Sequence, residues 1–228
     1  CVIDPHGDLI RNVIARIPEP RIAHGEVILL DPKDHAFPFG LNIYECADKN
    51  DPVAVEYTVN RIMSLFKRLL EAKEPQPLVE DVIRNTAYTI IANDLTMTEI
   101  TPLLFNADFR RRCVANVRNS DVRYFWEAYE GLRGEVLEQW RGVVGRRIRG
   151  FTSSEIMRCI IGQKEKTLPL KDVVDGQKIL LVRLYSDMKD LTSMVGSIIV
   201  AQLLQVALSR SETDDRPEFH LYCDEYEN

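Results

Sequence analysis

Long apolar runs are scarce in this chain of 228 residues. The longest, Met194 to Leu208, is broken by Ser197, Gln202 and Gln205 and falls short of the roughly 20 residues that span a bilayer, so no membrane-spanning segment is expected. Cysteines at metal-site or redox spacing are missing as well: the five, at 1, 46, 113, 159 and 223, lie far apart. That pattern points to a reducing compartment, with Cys1 and Cys223 as small buried hydrophobes inside apolar strands. Basic charge is not in excess either. A net charge of −6 excludes a chain-wide cationic surface for nucleic acid and leaves room only for a local patch. The first residues do not read as a signal peptide, and no internal repeat or low-complexity tract stands out. What is present suffices for a core: 45% hydrophobic and 28% charged are ordinary globular values, and the length predicts one large domain or a domain carrying an insertion.

Residues 1–4 read as a short apolar strand that breaks at Asp4-Pro5-His6-Gly7-Asp8, a turn in which Pro fixes φ and Gly permits a sharp reversal. Apolar residues at 9, 10, 13, 14 and 17 predict a helix that Pro18 and Pro20 end, and Val27 to Leu30 reads as a second strand. Strand, helix, strand in this order is the signature of a parallel sheet. From Asp51-Pro52 onward the pattern turns helical, with further helices expected from Pro77 and at 98–105, 107–118, 120–131, 134–149 and 152–161. Strand logic returns at Ile179–Leu184, followed by a long apolar helix over 190–210 and a last strand from Phe219. The expectation is an α/β fold interrupted by an all-α subdomain, with parts at 1–51, 52–165 and 166–228.

Charge is distributed unevenly along this plan. Between Asp108 and Arg158 eleven arginines and no lysine face seven acids, a block of +4 that leaves −10 for the rest. Arg146, Arg147 and Arg149, and the Arg110–Arg112 run, have the guanidinium forks that grip phosphate. The competing reading is a solvated helical face whose arginines pair with Glu127, Glu130, Glu135 and Glu138. Tyr124, Phe125 and Trp126 point in different directions on a helix, so core packing of at least two is expected over base stacking.

The last ten residues, Phe219-His-Leu-Tyr-Cys-Asp-Glu-Tyr-Glu-Asn228, read as a buried strand that carries Asp224 and Glu225 to the rim of a sheet. An acid pair there suits metal-assisted nucleotide hydrolysis: one carboxylate on Mg²⁺, the next polarising the attacking water. A strand that merely ends in polar residues is the plain alternative.

Cys1-Val-Ile-Asp-Pro-His-Gly-Asp-Leu9, Val27-Ile-Leu-Leu-Asp-Pro32, Gly40-Leu-Asn42, the helical insertion with Phe109-Arg110 and Phe125-Trp126, Gly196-Ser-Ile-Ile-Val-Ala-Gln202 and Tyr222-Cys-Asp-Glu-Tyr-Glu-Asn228 occur in a telling order. In that order the chain resembles the HerA/FtsK-type motor ATPases, and among them most the coupling proteins of conjugative type IV secretion. The resemblance implies a RecA-like ATPase core in a homo-hexameric ring that pumps DNA, using ATP and Mg²⁺. It implies Asp224 as the Mg²⁺-side carboxylate in the Walker B strand and Glu225 as the base that orients water. Asp4 would lie near the nucleotide or its water, with His6 and Asp8 near the subunit or DNA interface. Secretion-channel or relaxase proteins are implied as partners, and a cytoplasmic location, the parent being anchored at an inner membrane by a segment outside these residues. One departure is large. No Gly-x-x-x-x-Gly-Lys-[Ser/Thr] loop occurs, so the chain is expected to be an internal fragment that lacks its Walker A loop and is inactive alone. Two other classes compete: a carboxylate-metal nuclease built on Asp4, Asp8, Asp224 and Glu225, and a non-enzymatic DNA- or partner-binding module in which the helical block does the work.

Overall fold

The computed structural model describes every residue except 35, 70–76, 166–167, 169, 211–216 and 225–228. Contacts divide the chain into two compact units, Cys1–Phe39 with Thr167–Asn228, and Gly40–Lys166.

Strand β1, Val2–Asp4, ends in a turn where Gly7 takes a φ of 81°, and α1, Asp8–Ile14, follows. The helix expected up to Ile17 ends at Ile14, ahead of the two prolines, and a second short helix that was not expected, α2, Glu19–Ala23, begins at them. Proline lacks an N–H, but first-turn N–H groups have no helical acceptor, so Pro18 as cap and Pro20 in the first turn start a helix as readily as they stop one. Strand β2 is Val27–Leu30.

The second unit is helical, and among the described residues it contains no strand. Its ends are drawn together at Gly40-Leu-Asn42. A Cβ on Gly40 would sit 2.9 Å from Gln163 Cβ, the Leu41 amide donates to Ile160 O at 2.8 Å, and Asn42 Nδ2 donates to Lys164 O at 3.0 Å. Residues 40–51 therefore group with the helices, ahead of the first helix start. Helices α3, Pro52–Leu69, and α4, Pro77–Ala92, pack together. A 3₁₀ turn at Met97–Glu99, closed by a Thr96–Glu99 capping box, leads into α5, Ile100–Phe105. Then come α6, Ala107–Val114, α7, Ser120–Gly131, α8, Gly134–Thr152, and α9, Glu155–Ile161. Asn106, Asn119 and Ser154 cap α6, α7 and α9 by accepting first-turn amides, the local signal that sets those starts. Helix α4 supplies the centre of the core through Val82, Ile83, Ala87, Ile90 and Ile91, and Trp126 Nε1 on α7 donates to its Thr89 Oγ1 at 2.7 Å.

Returning to the first unit, α10 is Leu170–Asp175, β3 Ile179–Arg183, α11 Lys189–Ser209 and β4 Tyr222–Cys223. Helix α10 has no counterpart in the sequence expectations: at six residues it is too short to develop a periodic pattern. The four strands form one all-parallel sheet in the order β2-β3-β1-β4, so the fold is α/β. Strand β3 is its buried centre, with Leu180, Leu181 and Val182 fully covered. Among the described residues α11 is the one helix long and apolar enough to cross a membrane. That length exceeds the interrupted run seen in the sequence, yet Leu191, Met194, Val195, Ile198 and Ile199 are buried in the fold, and a Cβ on Gly196 would sit 3.4 Å from Leu184. The last strand differs from expectation. It is two residues long rather than a buried strand, with Tyr222 60% exposed, because among the described residues it pairs on one side only, with β1. Cys1 and Cys223 are correspondingly half-buried rather than buried.

Candidate active site at the carboxyl edge of the sheet

Parallel registration lines up the residues that end the four strands. Leu30 pairs with Val182, so the next residues, Asp31 and Arg183, face each other, and their side chains form an ion pair at 3.3 Å. Asp4 pairs with Arg183. Ile3 pairs with Cys223, so Asp4 and Asp224 come next, and the Asp224 amide continues the ladder by donating to Ile3 O at 3.0 Å. The row at the carboxyl edge thus reads Asp31, Arg183, Asp4, Asp224 across the sheet. The connection leaving β1 runs toward β2 while that leaving β3 runs toward β4. Right-handed crossovers travelling in opposite directions would place their helices on opposite faces, and the strand ends between them are the usual ligand position of such sheets.

The members of this row do different things. Asp4 is fully buried, and its carboxylate is spent on its own turn: Oδ1 accepts the His6 amide at 2.8 Å and Oδ2 the Ile10 amide at 2.9 Å. Burial alone would raise its pKa, but the amides of Ile10, His6, Gly7 and Leu9 outweigh it and hold the carboxyl below its ordinary value. With its acceptor directions occupied, Asp4 organises the β1–α1 turn rather than offering a ligand. His6 is exposed at the tip of that turn, and Asp8 is exposed in the first turn of α1, where it meets Arg11 at 3.5 Å. Asp224 is exposed at the end of β4. Glu225 lies outside the described residues.

Arg183 and Asp31 belong to a cluster that sequence reasoning did not assemble. Tyr185 Oη donates to Asp31 Oδ1 at 2.8 Å, and Lys33 Nζ lies 3.7 Å from the Tyr185 ring centroid and 3.6 Å from Asp187. Arg183 packs against Gly7, where a Cβ would meet Nε at 3.2 Å, so the glycine is required both by its φ and by this approach. The signal that could have found the pair is that both strands end in a charged residue. Only the register, with partners 152 positions apart, tells that the two charges are neighbours.

An acid at a strand end offers hard oxygen donors of the kind Mg²⁺ takes. Among the described residues no group of three His, Cys, Asp or Glu side chains could hold a metal ion. Of the expected acid pair, Asp224 is the described residue that would hold Mg²⁺, an ion commonly bound by one or two carboxylates with phosphate oxygens and water completing its shell. No family model, curated protein or solved structure matches this chain.

In the helical unit the arginine-rich block divides. Arg110, read from the sequence either as a phosphate contact or as a partner of an acid such as Glu130, is 2% exposed and takes the second role, buried rather than on a solvated face. Its Nε and Nη2 donate to Glu130 Oε1 at 2.9 and 2.7 Å, and Nη1 donates to Leu103 O at 2.8 Å. It stands 4.9 Å from the Tyr129 ring within a cluster in which Trp126 meets Phe125 at 5.1 Å and Tyr129 at 5.3 Å. Phe125 and Trp126 therefore pack and Tyr124 stays exposed. Arg110→Ala takes this donor from the Leu103 carbonyl and the Glu130 carboxylate, while Leu104 O keeps Tyr129 Oη and Arg141 Nε, and is expected to destabilise the chain by about 2–3 kcal/mol, with Arg110→Lys restoring little because an ammonium cannot bridge both acceptors. Urea denaturation checks this; an unchanged midpoint for Arg110→Ala would show that the pair carries no stability. Arg146 and Arg149 are exposed on α8, which also carries Arg147. Arg149 lies 6.0 Å from the Phe105 ring.

Proposed function

We propose that the chain is part of an ATP-driven DNA translocase of the coupling-protein type, with a RecA-like sheet and an inserted helical unit. The observation that carries this reading is the parallel pairing of β1 with β4, which sets Asp224 beside the Asp4 turn at the carboxyl edge of the sheet. In this reading Asp224 holds Mg²⁺ and Glu225 accepts a hydrogen bond from the attacking water. Asp4 fixes the turn beside them, and the Asp31–Arg183 pair closes the far end of the row. Bound ATP with Mg²⁺ would supply the scissile phosphate and the charge that neutralises it. The phosphate loop would come from residues of the parent protein outside these 228, and hexameric assembly and DNA engagement rest on the family resemblance. Arg146 and Arg149, exposed on α8, are among the exposed arginines that a DNA backbone could meet. The commitment of both Asp4 oxygens to amides argues against the nuclease reading, which needs that carboxylate as a ligand.

The test is ATP turnover by the parent protein with and without single- and double-stranded DNA. DNA-stimulated hydrolysis is the expected result, and turnover indifferent to DNA would sink the translocase reading. On the 228 residues alone, titration calorimetry should find weak ATP binding; tight Mg²⁺-dependent binding would overturn the assignment of the phosphate loop to other residues.

A further inference from the structure

The helical unit contains a cleft of about 570 Å³, within the range of small-ligand sites. The turn before α3, the first turns of α3, the last turns of α4 and the link between α6 and α7 form its walls. None of the residues weighed for the sheet edge takes part. Its apolar surface comes from Val55, Ile91, Ala92 and Val117.

The charges around this floor are already satisfied, with one exception. Lys49 is paired with Asp94. Glu56 accepts from the Tyr88 hydroxyl and from Asn60 Nδ2 and lies 3.7 Å from Arg84. Burial, then the hydrogen bond to Glu56, push Tyr88 up to about 12, so the phenol stays a donor to Glu56 across the neutral range. Arg118 is exposed at the cleft and makes no hydrogen bond or ion pair with the described residues. Beside it, the Asn119 side-chain oxygen caps α7 by accepting the Asp121 and Val122 amides, which turns its NH₂ away from those amides as a further donor.

One uncommitted guanidinium and a carboxamide donor beside an apolar floor define a ligand. We propose that this cleft binds a molecule carrying a single carboxylate on an apolar body, the carboxylate lying in the fork of Arg118 and the body on Val55, Ile91, Ala92 and Val117. A single negative charge balances the single free cation, whereas a phosphate dianion would leave charge uncompensated in a partly apolar cleft. Two sources share this chemistry: a free small acid and the carboxyl end of a polypeptide. The site is independent of the reading of the sheet edge, and either can fail without the other.

The experiment titrates the full chain with 4-phenylbutyrate and 4-phenylbutanamide, following the Arg118 Nε and Asn119 side-chain resonances by NMR. The acid should bind and the amide should bind about tenfold more weakly. Arg118→Ala should weaken the acid about tenfold, leave the amide unchanged and keep the thermal midpoint, since the side chain has no partner to lose among the described residues, while Arg118→Lys should recover part of the affinity. A parallel titration with acetyl-Gly-Leu-Phe, free acid against amide, separates the sources: tighter binding of the free peptide assigns the site to a polypeptide end, and binding of phenylbutyrate alone assigns it to a small acid. Equal affinity for acid and amide, an unaffected Arg118→Ala, or no shift up to about 10 mM of either probe would overturn the proposal.

Discussion

Replacing Glu225 by Gln in the parent protein should lower DNA-stimulated ATP turnover by about three orders of magnitude while ATP binding survives. The amide keeps the size and most of the hydrogen-bonding shape of the carboxylate but cannot accept the proton of the attacking water. Asp224→Asn should fail differently, losing the Mg²⁺ dependence of binding if that carboxylate holds the cation as proposed. The contrast between the two variants is the informative result. Adjacent residues at the end of an extended strand point to opposite sides, so one acid of the pair can face the cation while its neighbour faces the water only if the strand geometry persists through Asp224. Strand β4 itself ends at Cys223 and Asp224 begins a turn, although its amide still donates to Ile3 O, so the two substitutions also test which way each acid faces. Equal effects of both substitutions on binding and turnover, or turnover indifferent to Glu225, would mean that the pair serves folding or another chemistry. Metal-dependent cleavage of DNA by the wild type, lost in both variants, would point to the nuclease class.

Local pattern carried much of the fold and little of the site. Val27–Leu30 and Ile179–Arg183 stand as strands where continuous β-branched and leucine runs put them. Helices α3 and α4 follow from apolar residues three and four apart, and both begin at a proline. These signals are local: each rests on residues within one or two turns. The points that went astray depend on partners distant in the sequence. Whether Phe219–Cys223 is a central or an edge strand depends on what lies on its far side, and an apolar run reads the same in both places. Arg110 looks like a surface arginine in a basic run until Glu130 and the carbonyls ending α5 are brought around it. Asp31 and Arg183, each alone at the end of a strand, become a pair only through registration.

Asp4 shows the same limit within seven residues, and its removal should have the largest effect on stability. Asp4→Asn is expected to cost about 3 kcal/mol, a large part of the 5–15 kcal/mol that holds a typical domain together. Both oxygens accept backbone amides, so either orientation of an asparagine turns an NH₂ toward a buried N–H: toward His6 in one case, toward Ile10 in the other. The pH dependence separates this role from a catalytic one. The folded carboxyl titrates below its unfolded value of about 3.9, so its contribution is complete above roughly pH 5 and disappears as pH falls through the folded value. The stability gap between wild type and Asp4→Asn should therefore be constant from pH 7 to about 5 and shrink toward pH 3, as read from urea denaturation. A carboxylate held in place for catalysis against its own stability would give the opposite sign, with the neutral variant more stable than wild type. A constant gap down to pH 3, or a variant as stable as wild type, would show that the amides of the turn do not depend on the charge. In that case Asp4 would return to the candidates for the nucleotide's water. The expected result instead makes the β1–α1 turn a rigid platform, whose conformation is set by a buried anion before any ligand arrives at the row of charges beside it.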